Sequence, residues 1–231
     1  MKLNKCITFI LILAFTLLIN QVQAIDLTIG SNYWQQAPEG QYGEASDALI
    51  SISQSEDSFS EFYFQFEHPF PLLPSFKYRK FDIKDSSSIT LDKTFLLGNE
   101  IYSIASILTT QLSHEVSDFT FYYEAFDNQL AELDVGVTVR DITSSATAMN
   151  TGLSSEQSQN GDSDVFYMLY SSAKISLPLL NFNLGANIQF QDEKTYDVDM
   201  YVAYLLPLIP VIEPFIKAGI KNHKSQLLFD G

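Results

Sequence analysis

The alternation of apolar and polar residues with a period of two constrains this chain more than any other feature. The clearest case is "NFNLGANIQF", residues 181–190, in which every second residue is apolar and the residues between them are Asn, Gly or Gln. Residues two apart share one face of a strand, so such segments predict strands with one apolar and one polar face. The same pattern occurs in "FSEFYFQFEH", "DFTFYYEAF", "AELDVGVTVR" and "DVDMYVAYL", and more weakly at residues 25–34, 76–83, 165–177 and 212–221. The sequence therefore predicts an all-β chain with nine strands.

The connections between these strands alternate between long and short. Long polar segments follow the first, third and fifth strands, whereas a proline-rich turn, "DN" and "PLL" follow the second, fourth and sixth. Short turns at one end and long loops at the other are typical of an antiparallel up-and-down barrel of the outer-membrane type. In residues 25–231 we find no apolar run long enough for a membrane-spanning helix and no sign of a second domain.

Two antiparallel architectures share this pattern. A water-soluble barrel or sandwich buries its apolar face, whereas a membrane barrel turns that face to lipid and encloses the polar one. The predicted strands run about 9–11 residues, a length that crosses a bilayer at a tilt. Aromatic residues lie near the strand ends, as expected of interfacial girdles: Tyr33, Trp34, Phe59, Phe70, Tyr78, Phe126, Tyr167 and Tyr204. These features favour the transmembrane barrel.

The polar face is then expected to line the lumen of the barrel. In "FYFQFEHPFPLLPSFKYR", residues 62–79, every second residue of the first part is Phe and faces lipid, and the prolines form a turn because they lack a backbone donor. Lumen-facing charged candidates are Glu61, Glu67, Lys77, Arg79, Asp118, Glu124, Glu132, Asp134, Arg140, Lys174 and Lys217. We expect Lys77 and Arg79 to pair with Glu61 or Glu67.

Paired carboxylates at Asp118, Glu124, Glu132 and Asp134 leave two interpretations open. Such groups can exchange protons with a substrate or bind a cation. Basic residues on the neighbouring predicted strands favour the other interpretation, a structural plug of ion pairs.

Residues 1–24 predict a secretory signal peptide. Lys2 and Lys5 precede the apolar segment "CITFILILAFTLLI", and "QVQA" leads to a cleavage site after Ala24. Cys6 is the only cysteine of the chain, so residues 25–231, the predicted barrel domain, have no disulfide framework despite the expected export. Without Lys2 and Lys5 there are 11 basic and 28 acidic residues, a formal charge of −17, which disfavours nucleic acid as a partner.

Five stretches carry a resemblance to a known family: "IGSNYWQQAPEGQYG", "FEHPFPLLPSFKYR", "TFYYEAFDNQLAELDVGVTVR", "MLYSSAKISLP" and "LGANI". In these stretches the chain resembles the small outer-membrane β-barrel proteins of gammaproteobacteria, a family without an established activity. The resemblance implies a monomeric barrel surrounded by outer-membrane lipids and lipopolysaccharide, with the barrel-assembly machinery and periplasmic chaperones as its assembly partners. It implies no catalytic residues and no cofactor.

The odd number of strands has a consequence for closure. The first and ninth strands would run in the same direction, and each unpaired backbone group in hydrocarbon costs several kcal/mol. Members of the resembled family continue after a motif like "FDG" with one more strand, and here "FDG" occupies positions 229–231. We therefore expect ten strands in the complete barrel, with the C-terminal strand missing from a truncated chain.

The sequence contains few candidate catalytic or metal-binding groups. Ser113, His114 and Glu115 adjoin, but neighbours on a strand point to opposite faces, so a catalytic role for His114 would need distant partners. His68 is expected to form hydrogen bonds in the proline turn, and His223 to lie in a frayed end. The segment "NGDSD" resembles half of a calcium loop but lacks the closing Glu, which favours a solvated loop. We predict no metal, cofactor or catalytic site.

We therefore expect a non-enzymatic barrel in the cell outer membrane, with a structural or surface-interaction role and a lumen blocked by side chains. Two alternatives stay open. One is a narrow porin-like channel for small polar or cationic solutes, and the other is a lipid-modifying enzyme that acts at the rim.

Overall fold

A computed structural model of the protein describes residues 25–36, 39–42, 50–53, 57–97, 100–150, 157–193, 195–207 and 213–224. The signal peptide predicted at residues 1–24 and the chain end at residues 225–231 lie outside the described residues. Nine long strands are β1 (Asp26–Gln36), β4 (Asp57–Glu67), β5 (Ser75–Thr90), β8 (Ile107–Asp127), β9 (Ala131–Asn150), β10 (Gln157–Leu177), β11 (Phe182–Asp192), β12 (Thr195–Leu205) and β13 (Phe215–Lys224). Short pieces are β2 (Glu39–Tyr42), β3 (Ile50–Ser53), β6 (Phe95–Leu97), β7 (Glu100–Tyr102) and a 3₁₀ turn at Pro178–Leu180.

The long strands form one antiparallel sheet in the order β1-β4-β5-β8-β9-β10-β11-β12-β13, which is nearly closed into a barrel. The predicted all-β, antiparallel up-and-down architecture is confirmed. The pairs β2–β3 and β6–β7 form two separate two-stranded sheets. Because each long strand is antiparallel to the next, β1 and β13 run in the same direction and are the two edges of the sheet.

Two tight turns mark one end of the barrel, which we call the turn end; the opposite end is the loop end. His68 Nε2 lies 3.2 Å from the carbonyl oxygen of Pro74, and the backbone N–H of Phe70 donates to His68 Nδ1 at 3.2 Å, which confirms the predicted turn histidine. In the β8–β9 turn the side chain of Asn128 accepts a 2.8 Å hydrogen bond from the backbone N–H of Leu130. Such side-chain bonds to the following backbone are what make Asn a common turn residue.

The outer face of the barrel carries a continuous apolar surface, which we call the belt. Every second residue of each long strand points outward, and many of the apolar ones among them are more than a third exposed. They include Leu27, Ile29, Phe62, Phe119, Phe121, Tyr123, Val135, Val137, Leu169, Ile175, Leu184, Ile188, Met200, Val202, Ile216 and Ile220. The belt therefore runs around all sides of the sheet.

Charged residues mark the edge of the belt toward the loop end. Lys80 on β5 pairs with Ser117 on β8, which pairs in turn with Asp141 on β9, so the three residues lie at one level. The outward side chains of Lys80 and Glu115 form an ion pair there, and they are 43% and 54% exposed. Beyond this level the outward faces of these strands become polar.

The loop-end halves of the strands differ from the prediction. We expected polar loops after residues 83 and 140, but β5 continues to Thr90, β8 begins at Ile107 and β9 continues to Asn150. The segment "NGDSD", predicted to lie in a loop, belongs to β10, although the side chain of Asp162 is not among those described. β8, β9 and β10 are therefore 20–21 residues long rather than about 9–11.

Two predicted girdle residues, Trp34 and Phe59, lie inside the barrel instead. Phe59 is 3% exposed and joins an apolar cluster with Phe81, Ile83, Val116 and Ile142, against which Trp34 and Phe166 pack. Among the predicted girdle residues that do point outward, Tyr33, Phe70 and Tyr167 are at least 60% exposed. The apolar cluster lies in the lumen on the loop-end side, because each of its members lies closer to that end than Glu61, Arg79, Asp118 and Arg140 on the same or adjacent strands. Among the described residues no helix is long and apolar enough to cross a membrane.

On the inward face, three glycines each lie opposite a tyrosine on the neighbouring strand. Gly30 lies directly opposite Tyr63, Gly136 lies opposite Tyr122, and Gly185 lies opposite Tyr201. A Cβ atom at Gly30 would lie 2.3 Å from the ring of Tyr63, so the ring occupies the space that a side chain would take. These pairs let large rings lie flat against a strongly curved sheet.

Candidate functional site

Inward side chains form successive layers along the lumen. The apolar cluster lies nearest the loop end. Next comes an ionic layer made of Glu61, Arg79, Asp118, Arg140, Gln189, Asp197, Lys221 and His223. A tyrosine layer of Tyr63, Lys77, Tyr170, Tyr201 and Lys217 follows. An open vestibule of about 1160 Å³ occupies the turn end.

Two arginines share one carboxylate at the centre of the ionic layer. Arg140 donates through Nε to Asp118 Oδ1 at 2.7 Å and through Nη2 to Asp118 Oδ2 at 2.8 Å. Arg79 donates to Asp118 Oδ2 from Nε at 3.0 Å. Asp118 and Arg140 are 0% exposed and Arg79 is 6% exposed, so water does not screen these contacts. The side chains come from adjacent strands, because Arg79, Asp118 and Arg140 are register partners across β5, β8 and β9.

The same arginines reach across the lumen to β11 and β12. Both Nη2 atoms lie 2.5 Å from Asp197 Oδ2, and Arg140 Nη2 also donates to Gln189 Oε1 at 3.1 Å. His223 Nδ1 lies 2.7 Å from Asp197 Oδ1, so β13 is tied to the same carboxylate. These contacts join opposite walls of the barrel.

The gap between the sheet edges is bridged by side chains of the ionic layer. Lys221 Nζ on β13 donates to Glu61 Oε2 on β4 at 2.6 Å and lies 4.2 Å from the ring centroid of Trp34 on β1. Arg79 Nη1 lies 3.6 Å from Glu61 Oε2. Arg79, Arg140 and Lys221 thus face Glu61, Asp118 and Asp197, so three permanent cations meet three carboxylates in this layer.

Two lysines of the tyrosine layer lie over aromatic rings. Lys77 Nζ lies 5.6 Å from the ring centroid of Tyr170, and Lys217 Nζ lies 4.8 Å from that of Tyr63 and 5.1 Å from that of Tyr201. An ammonium group above a ring face is attracted by the ring quadrupole. A cavity of about 30 Å³ separates this layer from the ionic layer, which is room for one water molecule.

The turn-end carboxylates line the vestibule. Tyr122 donates its hydroxyl to Glu67 Oε1 at 2.8 Å, and Glu132 forms an ion pair with Lys174 across β9 and β10. Asp134 is 1% exposed. Glu124 lies directly opposite Asp134 in the β8–β9 register.

All eleven lumen candidates named from the sequence thus point inward, but some of them do not form the contacts that the sequence predicted. Arg79 contacts Glu61 as expected, whereas Lys77 lies over Tyr170 rather than beside Glu61 or Glu67. Sequence reasoning missed Gln189 and Asp197 as candidates, although both occupy polar positions of the alternating strands. The predicted frayed end at His223 is wrong, because its ring is 5.4 Å from that of Phe81 and pairs with Asp197.

Ser113, His114 and Glu115 lie on β8 beyond the belt and do not converge. His114 points inward, and its Nδ1 lies 2.8 Å from Ser144 Oγ on β9. Glu115 points outward to Lys80. Burial lowers the pKa of His114 to about 4, and the charge of His223 acts in the same direction, so the imidazole is neutral near pH 7.

The ionic layer holds its charges in buried ion pairs, while Arg140 Nη1 and Asp134 Oδ1 have no hydrogen-bond partner among the described residues. In the described part of the chain no set of three or more His, Cys, Asp or Glu side chains could hold a metal ion. Comparison of the chain with protein-family models, with curated proteins and with solved structures finds no match.

Proposed function

We propose that the protein is a non-enzymatic outer-membrane β-barrel with a closed lumen and a structural or surface-interaction role. The observation that carries this proposal is the belt, because its large side chains are exposed on every side of the sheet while the charges are enclosed. Monomeric soluble proteins rarely expose apolar surface of this extent, and a bilayer is the solvent that accepts it.

Two successive layers of side chains support a closed lumen. The apolar cluster lies on the loop-end side of the lumen, and the ionic layer below it ties β5, β8, β9, β12 and β13 together through buried ion pairs, with β11 joined by a hydrogen bond to Gln189. An ion that entered the vestibule would have to displace those pairs to pass. This supports a closed barrel over the porin-like alternative.

Orientation and surroundings complete the proposal. A signal peptide at residues 1–24 would deliver the chain to the periplasm, and the barrel-assembly machinery would insert it as a monomer among outer-membrane lipids and lipopolysaccharide. The turn end would face the periplasm and the loop end the outside, as in other barrels of this class. The resemblance noted from the sequence points to the same location.

The two sheet edges also belong to the proposal. One additional strand, antiparallel to both β1 and β13, would pair with both edges and give an even-numbered, ten-stranded barrel. Unpaired edges in hydrocarbon cost several kcal/mol per backbone group, so the membrane favours such closure.

Cell fractionation combined with gel mobility tests location and folding together. We expect the protein in the outer-membrane fraction, with a mobility that changes when the sample is boiled before electrophoresis. Recovery as a soluble periplasmic protein would contradict the proposal.

Planar-bilayer recording tests the closed lumen. We expect no discrete conductance steps at high salt from the folded protein. Regular steps that disappear with a boiled sample would instead identify a channel.

A further inference from the structure

The vestibule carries a net negative charge. Seven acidic residues and three lysines line it. Lys174 is paired with Glu132, and Lys77 and Lys217 lie over tyrosine rings on the side of the tyrosine layer. Acidic side chains therefore outnumber basic ones in a cavity large enough for a small organic molecule.

Asp134 is the residue in this cavity that points to a ligand. It lines the vestibule, is 1% exposed, and its Oδ1 has no hydrogen-bond partner among the described residues. Its register partner on β8 is Glu124, and Glu132 lies two residues away on the same face of β9. Burying a carboxylate oxygen without a donor is costly, and like charges opposite each other on a sheet destabilise it. A cationic donor at Asp134 would remove both costs.

The lining indicates what kind of cation fits. The vestibule already holds ammonium groups in two ways, against a carboxylate at Glu132 and over tyrosine rings at Tyr63, Tyr170 and Tyr201. Within the described ranges it lacks a carboxylate set with metal-ligand geometry. We propose that the vestibule binds a small organic cation with a primary ammonium group, and that Asp134 Oδ1 accepts a hydrogen bond from that group.

Side chains that line the vestibule supply the apolar part of the site. They include Ala203, Leu205 and the rings of Tyr63 and Tyr201. An alkyl chain attached to the ammonium group would lie against this lining, so the site takes an alkylamine in preference to a bare inorganic cation.

Calorimetric titration of the full chain, folded in detergent micelles, with 1,5-diaminopentane tests this site. We expect saturable binding that weakens with added salt, and no binding of the neutral analogue pentane-1,5-diol. Asp134→Asn should weaken diamine binding at least tenfold. The matched control is Asp141→Asn, which changes an outward, exposed carboxylate of the same strand and should leave binding within twofold.

Thermal unfolding supplies a second readout. Asp134→Asn replaces a buried carboxyl group whose Oδ1 lacks a donor in the described part of the chain with a neutral amide, so without diamine this variant should fold and unfold at a higher temperature than the wild-type protein. Diaminopentane should raise the unfolding temperature of the wild type and leave that of Asp134→Asn unchanged.

Three results would overturn the site. The first is the absence of saturable diamine binding to the wild type, which would indicate that Asp134 is held as a neutral acid. The second is equal diamine affinity in the Asp134→Asn variant. The third is equally tight binding of the diol, which would make the cavity an unselective apolar pocket.

Discussion

At the scale of single residues, Gly136 is a position without space for a side chain. A Cβ atom there would lie 2.1 Å from the carbonyl oxygen of Phe121 and 2.6 Å from Cα of Tyr122. Both are backbone atoms of β8 and cannot rotate away. Gly30 differs, because its Cβ would meet the ring end of Tyr63, which can turn.

Gly136→Ala should therefore destabilise the barrel by about 3 kcal/mol or prevent its folding, since overpacking forces the backbone to move. Urea unfolding in lipid vesicles measures the difference in free energy of unfolding. Gly161→Ala is the control, because its Cβ would lie 3.4 Å from the nearest atom, and stability should stay the same or rise slightly. Equal losses in both variants would contradict this account.

Asp118 is the residue on which the ionic layer depends. Asp118→Asn removes the charge that two buried arginines share, which should cost about 3–5 kcal/mol in free energy of unfolding, as for other broken buried pairs. The same chemical change at Glu115, Glu115→Gln, touches only an exposed ion pair and should have no measurable effect. Similar stability of the two variants would mean that the ionic layer is not coupled as described.

His114 should make stability depend on pH. Its pKa falls from 6.5 in the unfolded chain to about 4 in the folded one, so the unfolded chain binds the proton more tightly. The contribution of this residue to stability is therefore complete above pH 6.5 and is lost as the pH falls toward 4. Unfolding measured across this range should show a smaller decline in His114→Gln than in the wild type, and identical profiles would exclude His114 as a source.

At the scale of strands, the loop-end extensions show what alternation could and could not predict. The nine strands appear where apolar and polar residues alternate. The continuation of β9, "DITSSATAMN", was predicted as a loop because its inward residues include Ser144, Ala146 and Ala148, which are too small to produce an apolar signal. Those small residues are buried against neighbouring strands, so ladder pairing with β8 and β10 defines this segment.

Hydrogen exchange distinguishes the strand seen at residues 141–150 from the loop that the sequence predicted there. Amides of residues 143–148 pair on both sides, with β8 and with β10, and should exchange much more slowly than those of the β8–β9 turn at residues 128–130. Mass spectrometry of peptides from exchanged protein measures this. Exchange as fast as in the turn would support the loop that the sequence predicted.

The sequence predicted the residues of the lumen about as well as it predicted the strands: it identified many of them but not their contacts. Alternation alone assigns charged residues to the inward face, which is why Arg79, Asp118 and Arg140 could be named. The contacts with Asp197 could not, because that residue lies 118 positions from Arg79 along the chain and meets it only once the sheet curves. The lysine–tyrosine contacts were missed because alternation does not distinguish an ion pair from a ring contact.

At the scale of the whole molecule, the distribution of side chains is the reverse of that in a soluble protein, because the belt is apolar and the interior is charged. Exposed apolar side chains surround the sheet, while buried arginines and carboxylates hold its centre. Stability in water and stability in a bilayer should therefore respond differently to outward substitutions.

Val137→Arg places a charge in the middle of the belt and should cost about 2–4 kcal/mol on folding into lipid vesicles. The matched control is Asp141→Arg, on the same strand and face but at the charged edge of the belt, which should change the folding free energy little. Urea titrations in vesicles measure both. Equal effects would show that lipid does not surround residue 137.

The length of β9 past the belt edge has a consequence for reach. Residues 141–150 continue the strand, and at about 3.3 Å per residue with a tilt near 40° they rise roughly 25 Å. A paired ladder of this height acts as a rigid stalk rather than a tether. A molecule that contacts its tip would therefore be held at a fixed distance from the belt, and residues at the tip can change without altering the barrel below.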